Sequence, residues 1–108
     1  MRKFPKATFS EIATVSSGST PARAKGERYF ARNGTAWVKT GDLTNSLVQD
    51  TDEKLTDLAL QETSCRVYPV GTVLVAMYGG LRQIGRTGLL AVPAAVNQAT
   101  LAVVPKPD

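Results

Sequence analysis

The chain has 108 residues, enough for one small domain with a single core and too few for two. Its 43% apolar and 20% charged residues suit a globular protein rather than a disordered or fibrous one, and its net charge is +4. No apolar run nears the roughly 20 residues of a membrane-spanning helix, and with one cysteine and no histidine neither an internal disulfide nor a His-based catalytic triad can form, and a zinc site is not expected.

In chain order, the basic start Met1-Arg2-Lys3-Phe4-Pro5-Lys6 has no apolar stretch behind it, so no secretory signal is read and a cytoplasmic location is expected. Ser10 can cap a helical turn with Glu11 near its positive end, and a brief strand follows through Ala13-Thr14-Val15. Ser16-Ser17-Gly18-Ser19-Thr20-Pro21 is a loop by composition, and Asn33-Gly34 is a turn dipeptide. Ala36-Trp37-Val38-Lys39-Thr40 reads as a short strand ended by Gly41-Asp42, where glycine permits a positive φ and Asp42 can bond the turn's backbone. Leu55, Leu58 and Ala59 share a helical face, and Thr56 can cap a helix from Asp57 to about Thr63.

Pro69-Val70-Gly71 sets a tight turn into Thr72-Val73-Leu74-Val75-Ala76-Met77-Tyr78, which is apolar at successive positions and predicts a strand buried on both sides. Further strands are expected at Thr87 to Val92 and Ala99 to Val104, with a turn or single helical turn at residues 93–98 between them. The resulting expectation is one α+β domain over residues 1–108, β-dominated with short helices.

Charge divides the chain into blocks. Residues 1–40 carry eight Lys or Arg against two Glu, whereas residues 41–65 carry only Lys54 against Asp42, Asp50, Asp52, Glu53, Asp57 and Glu62. The remainder carries Arg66, Arg82, Arg86 and Lys106 against Asp108, so a polyanion would be drawn to the first and last blocks and repelled by the middle one, which reads as a solvated acidic face rather than a metal site.

Two basic segments stand out. Arg23, Lys25, Arg28 and Arg32, beside Tyr29 and Phe30, lie in a polar link that can follow a groove, the cations reaching phosphates and a ring packing on sugar or base; a solvated loop explains the pattern equally well. Gly79-Gly80-Leu81-Arg82-Gln83-Ile84-Gly85-Arg86 directly follows a strand, where a rigid frame presents a functional loop. Arg82 and Arg86 can meet phosphates or a guanine edge, and Gln83 has the paired donor and acceptor of an adenine reader; the alternative is a glycine-rich hairpin with a solvated tip. The segment lacks the Gly, Lys and Ser/Thr order of a phosphate-binding P-loop and the dinucleotide fingerprint. For Asn97-Gln98 a structural role outweighs base reading.

Four pieces recur in order: Val15-Ser16-Ser17-Gly18-Ser19-Thr20-Pro21, Trp37-Val38-Lys39-Thr40-Gly41-Asp42-Leu43, Pro69-Val70-Gly71-Thr72-Val73-Leu74-Val75-Ala76, and Tyr78-Gly79-Gly80 through Ile84-Gly85-Arg86-Thr87-Gly88 to Asn97-Gln98. Together, from about Phe9 to Val104, they resemble the target recognition domain of type I restriction-modification specificity subunits. The resemblance implies the DNA methylase specificity domain fold and sequence-specific binding of double-stranded DNA without catalysis. It also implies no cofactor, because methylation with S-adenosylmethionine and cleavage belong to partner methyltransferase and restriction subunits. The DNA-contacting candidates are Arg23, Lys25, Arg28, Tyr29, Lys39, Arg82, Gln83 and Arg86, with no catalytic or metal-binding residue.

A full subunit of that family has two recognition domains and long helices. The resemblance therefore implies a partial, truncated domain here, and a homodimer in which two copies complete each other is expected to relieve an unpaired sheet edge. A second reading is a stand-alone protein-interaction module that dimerises or modulates specificity and methyltransferase subunits. A third is a small-ligand binder closed by the loop after Tyr78.

Overall fold

The computed structural model describes residues 12–80 and 82–106; the helical turn expected at Ser10 and Glu11 lies outside them. Among the described residues, two sheets and the α-helix at Asp57–Glu62 form three layers. The first sheet contains β1 (Ala13–Ser17), β4 (Ser46–Val48), β6 (Val73–Ala76), β7 (Thr87–Leu90) and β9 (Thr100–Pro105) in the order β1-β9-β6-β7-β4. The second contains β2 (Phe30–Ala31), β3 (Thr35–Val38), β5 (Glu53–Leu55) and β8 (Ala94–Val96) in the order β2-β5-β3-β8. Most neighbours are antiparallel, but β3 runs parallel to β8 and β4 parallel to β7. This is the expected β-dominated α+β class.

Strand alternation assigns the core. Ala36 and Val38 of β3 and Ala94 and Val96 of β8 point toward the first sheet, where Leu74, Ala76, Leu90, Val48 and Ala102 meet them. The intervening Trp37 and Ala95 point the other way, into a second cluster with Tyr29, Leu55, Ala59 and Cys65 beneath α1 (Asp57–Glu62). The doubly covered strands are thus β3 and β8. Residues 94–96, expected to form a turn, are the strand β8 at the end of the second sheet, covered on both faces, and its small alanines let two layers approach it.

β6 is correspondingly corrected. Leu74 is fully buried, but Val73 faces out at 37% exposure. It belongs to a cross-strand row, Val15, Val103, Val73, Leu89 and Leu47, that spans all five strands on the open face of the first sheet. An apolar run therefore did not mean cover on both sides.

α1 matches its signal. Thr56 Oγ1 accepts from the Ala59 N–H at 3.2 Å, and the helix closes with the Thr63 N–H on the Ala59 carbonyl at 3.1 Å. Leu55, counted on its apolar face, belongs instead to β5, and Leu58 is 40% exposed. The turn at residues 69–71 forms as expected, with Gly71 at φ 93°. Gly41 needs no positive φ, because Thr40–Asp42 is a 3-10 turn in which Asp42 Oδ2 accepts the Lys39 N–H at 2.9 Å.

Candidate functional site

β1, β3, β6 and β8 all end on one side of the molecule, where they lead into residues 18–21, 39–43, 77–80 and 97–98. The Ser19 N–H bonds the Val96 carbonyl at 2.9 Å, the Asn97 N–H bonds the Val38 carbonyl at 2.9 Å, and the Met77 N–H bonds the Ala99 carbonyl at 2.8 Å. Gly18 permits this closure: a Cβ there would stand 1.9 Å from the Val96 carbonyl oxygen. Side chains complete the junction. The Thr20 hydroxyl donates to Gln98 Oε1, the Tyr78 hydroxyl donates to the Gln98 carbonyl at 3.2 Å, and the Thr40 hydroxyl donates to Gln83 Oε1 at 3.0 Å. Asn97 Oδ1 accepts from the Thr100 hydroxyl at 2.7 Å, so both Asn97 and Gln98 hold the frame.

The link at residues 22–29 flanks this end through Lys39. Lys39 Nζ donates to Glu53 Oε1 at 2.8 Å, and the Arg23 guanidinium grips both oxygens of the same carboxylate. Arg23 also lies over the rings of Phe30 and Trp37, at 4.9 and 5.2 Å from their centroids. Hydrogen bonding from Arg23, aided by Lys39, lowers the Glu53 carboxyl to about 2 against the opposing effect of burial. Farther along, Arg28 pairs with Glu62, whose pKa is lowered chiefly by that contact. Glu53 and Glu62 of the acidic block are therefore folded against Arg23, Lys39 and Arg28, correcting the reading of Glu53 as part of a solvated face, whereas Asp50 and Asp52 are exposed as expected.

The candidate residues separate accordingly. Tyr29 is buried, its ring in the α1 cluster and its hydroxyl donating to Glu62 at 3.0 Å; that position removes the ring from the groups able to pack on a base. Arg23, Arg28 and Lys39 hold carboxylates. Lys25 and Arg82 are exposed and Arg86 half-buried, and none of the three forms an ion pair among the described residues. The loop at residues 79–86 folds back on itself: Gly79 takes φ 139°, the Gln83 N–H bonds the Gly80 carbonyl at 2.8 Å, and the Gly85 N–H bonds the Ala76 carbonyl at 2.9 Å.

No family model matches the sequence. Curated proteins do, among them the type I restriction enzyme EcoR124I/EcoR124II specificity subunit of Escherichia coli, 29% identical over 100 residues, and the type I restriction enzyme MjaIX specificity subunit of Methanocaldococcus jannaschii, 28% identical over 99 residues. These alignments take in 91% and 89% of this chain. The chain is related to type I restriction enzyme specificity subunits. It spans about a quarter of the curated relatives' length, 24% and 22% respectively.

The fold agrees with that of solved specificity subunits. The HsdS subunit from Thermoanaerobacter tengcongensis superposes with a TM-score of 0.67, and a chain from a type I R-M system studied for complex assembly and conformational transition gives 0.66. Each is 14% identical, and each match covers 91% of this chain and 22% of the other. Within this specificity-subunit framework, residues absent from the sequence candidates prove central to the junction: Thr20, Thr40, Tyr78 and Glu53. Their signal was available only in part. Hydroxyls stood at the ends of expected strands, but their partners lie 20 to 78 positions away in the chain.

Proposed function

We propose that this chain is a non-catalytic module of a type I specificity subunit that reads double-stranded DNA with the end of the molecule where the first, second and fourth motif segments meet. The observation that carries the reading is that junction itself, since residues up to 78 positions apart close into one hydrogen-bonded surface beside the loop that bears Arg82 and Arg86. Rigid strand ends presenting polar loops suit a surface that must hold side chains in register with bases.

In this reading Arg82, Arg86 and Lys25 meet phosphates directly. Arg23, Arg28 and Lys39 join them by exchanging a carboxylate for a phosphate, and Gln83 faces a base edge. Methylation and cleavage belong to partner subunits that the module directs, so the chain itself needs no cofactor. Association of two copies would supply both halves of a split target, and sedimentation of the chain with and without duplex measures it.

Titration of the chain against a random duplex over a series of salt concentrations tests the proposal. Affinity should fall log-linearly with salt, by about 0.9 in slope for each phosphate neutralised, and selection from a random pool should return a sequence preference. An affinity indifferent to salt overturns the reading.

A further inference from the structure

The Gln83 amide is held in one orientation. Its carbonyl oxygen accepts from the Thr40 hydroxyl at 3.0 Å and from the Gly80 N–H at 3.4 Å. Because a backbone N–H can only donate, the atom facing Gly80 must be the oxygen and not the amide nitrogen. The pocket receiving that oxygen exists because residue 79 is glycine: a Cβ there would lie 2.7 Å from Gln83 Oε1 and 3.2 Å from Thr40 Oγ1. The amide nitrogen sits on the opposite side, over exposed Gly41, where a Cβ would be 3.7 Å away. No hydrogen bond within the described residues engages that nitrogen.

A free glutamine offers a base one donor and one acceptor, which matches adenine. Here the acceptor is occupied, and only the NH2 group remains. In the major groove guanine offers two acceptors, adenine and thymine one each, and cytosine a donor. We propose that Gln83, positioned by Thr40, is a specificity-determining residue that selects guanine at one position of the DNA target and disfavours cytosine there. The Thr40 hydroxyl fixes the choice because it withdraws the carbonyl that adenine would need. This assignment rests on the DNA-reading proposal above and corrects the adenine match expected from residue type alone.

Selection of bound duplexes from a random library by the whole chain, sequenced for the unchanged protein and four variants, tests it. The unchanged chain should enrich guanine over adenine at one position by about fivefold, the lower end of what a bidentate base contact contributes. Thr40→Val keeps shape but removes the shorter of the two contacts on the carbonyl, leaving only the 3.4 Å Gly80 N–H, so adenine should rise relative to guanine at that position alone. Thr40→Ser retains the hydroxyl and should retain guanine. Gln83→Leu should level that position and no other, and Gln83→Glu, offering acceptors only, should turn it toward cytosine. Thermal melting of each variant confirms folding, and Gln83→Leu, in a loop, carries the test if Thr40→Val does not fold.

Salt-dependent binding with base preferences that ignore all four variants overturns the Gln83 assignment and leaves the DNA-reading proposal standing. Absence of salt-dependent binding by the unchanged chain overturns both.

Discussion

Glu53 and Lys39 meet through a 2.8 Å hydrogen bond between Nζ and Oε1, and that contact joins the acidic middle of the chain to the motif end of β3. Arg23 holds the same carboxylate, so one negative charge ties down two of the cations proposed to meet DNA.

Replacing it should separate stability from binding. Glu53→Gln removes the charge while keeping the shape, and unfolding in urea should show a loss of about 1 kcal/mol, the scale of a partly exposed ion pair. DNA affinity at low salt should rise, and the salt slope should steepen by about 1 to 2 as Arg23 and Lys39 become available to phosphates. A slope that does not steepen would show that neither cation reaches the duplex.

The same carboxylate sets an acid response. Its folded pKa, about 2, lies below the ordinary 4.5, so its stabilisation is complete above about pH 4.5 and is lost as pH falls toward 2. Asp50 and Glu62 are shifted down as well and act in the same direction. Asp42, raised by burial, acts oppositely. Urea midpoints measured from about pH 5 to about pH 2 should decline, and less steeply in Glu53→Gln than in the unchanged chain.

Arg82→Ala and Lys25→Ala remove cations that hold no carboxylate. Each should lower the magnitude of the salt slope by about 0.9 without altering base preference, as loss of a phosphate contact does. Their thermal midpoints should stay close to that of the unchanged chain, since exposed side chains that form no ion pair among the described residues contribute little to folding.

Gly18→Ala tests the junction mechanically. The added methyl would lie 1.9 Å from the Val96 carbonyl oxygen, and a backbone atom cannot turn aside as a flexible side chain can. Destabilisation of about 3 kcal/mol or more is expected, read by denaturant unfolding.

Two leucines of the first sheet should respond in opposite ways. Leu74, fully buried, should cost about 2 to 5 kcal/mol on truncation to alanine. Leu47, 54% exposed in the outward row, should tolerate threonine within about 0.5 kcal/mol in the same assay.

Local chemistry was legible wherever neighbours in sequence decide the conformation. The Thr56 cap, the turn at residues 69–71, and the strands at β1, β3, β6, β7 and β9 follow from caps, prolines, glycines and β-branched runs, which act over a few residues. β5 was missed because Glu53 and Lys54 read as solvent-facing charge, although their side chains fold back onto Arg23, Lys39 and Asp50. β8 was missed because alanines carry little strand signal, and only the two layers that cover it reveal why small residues stand there.

By itself the sequence determined the class of fold, the kinship with specificity subunits and the segments that matter, because ordered motifs and turn residues are properties of the chain taken in order. Tertiary structure decided which of those segments touch, which cations are already neutralised, that Tyr29 is core, and which atom of Gln83 faces outward. The physical reason is that hydrogen bonds and ion pairs between residues 14 to 78 positions apart depend on sheet order and register, and one-dimensional spacing does not encode either.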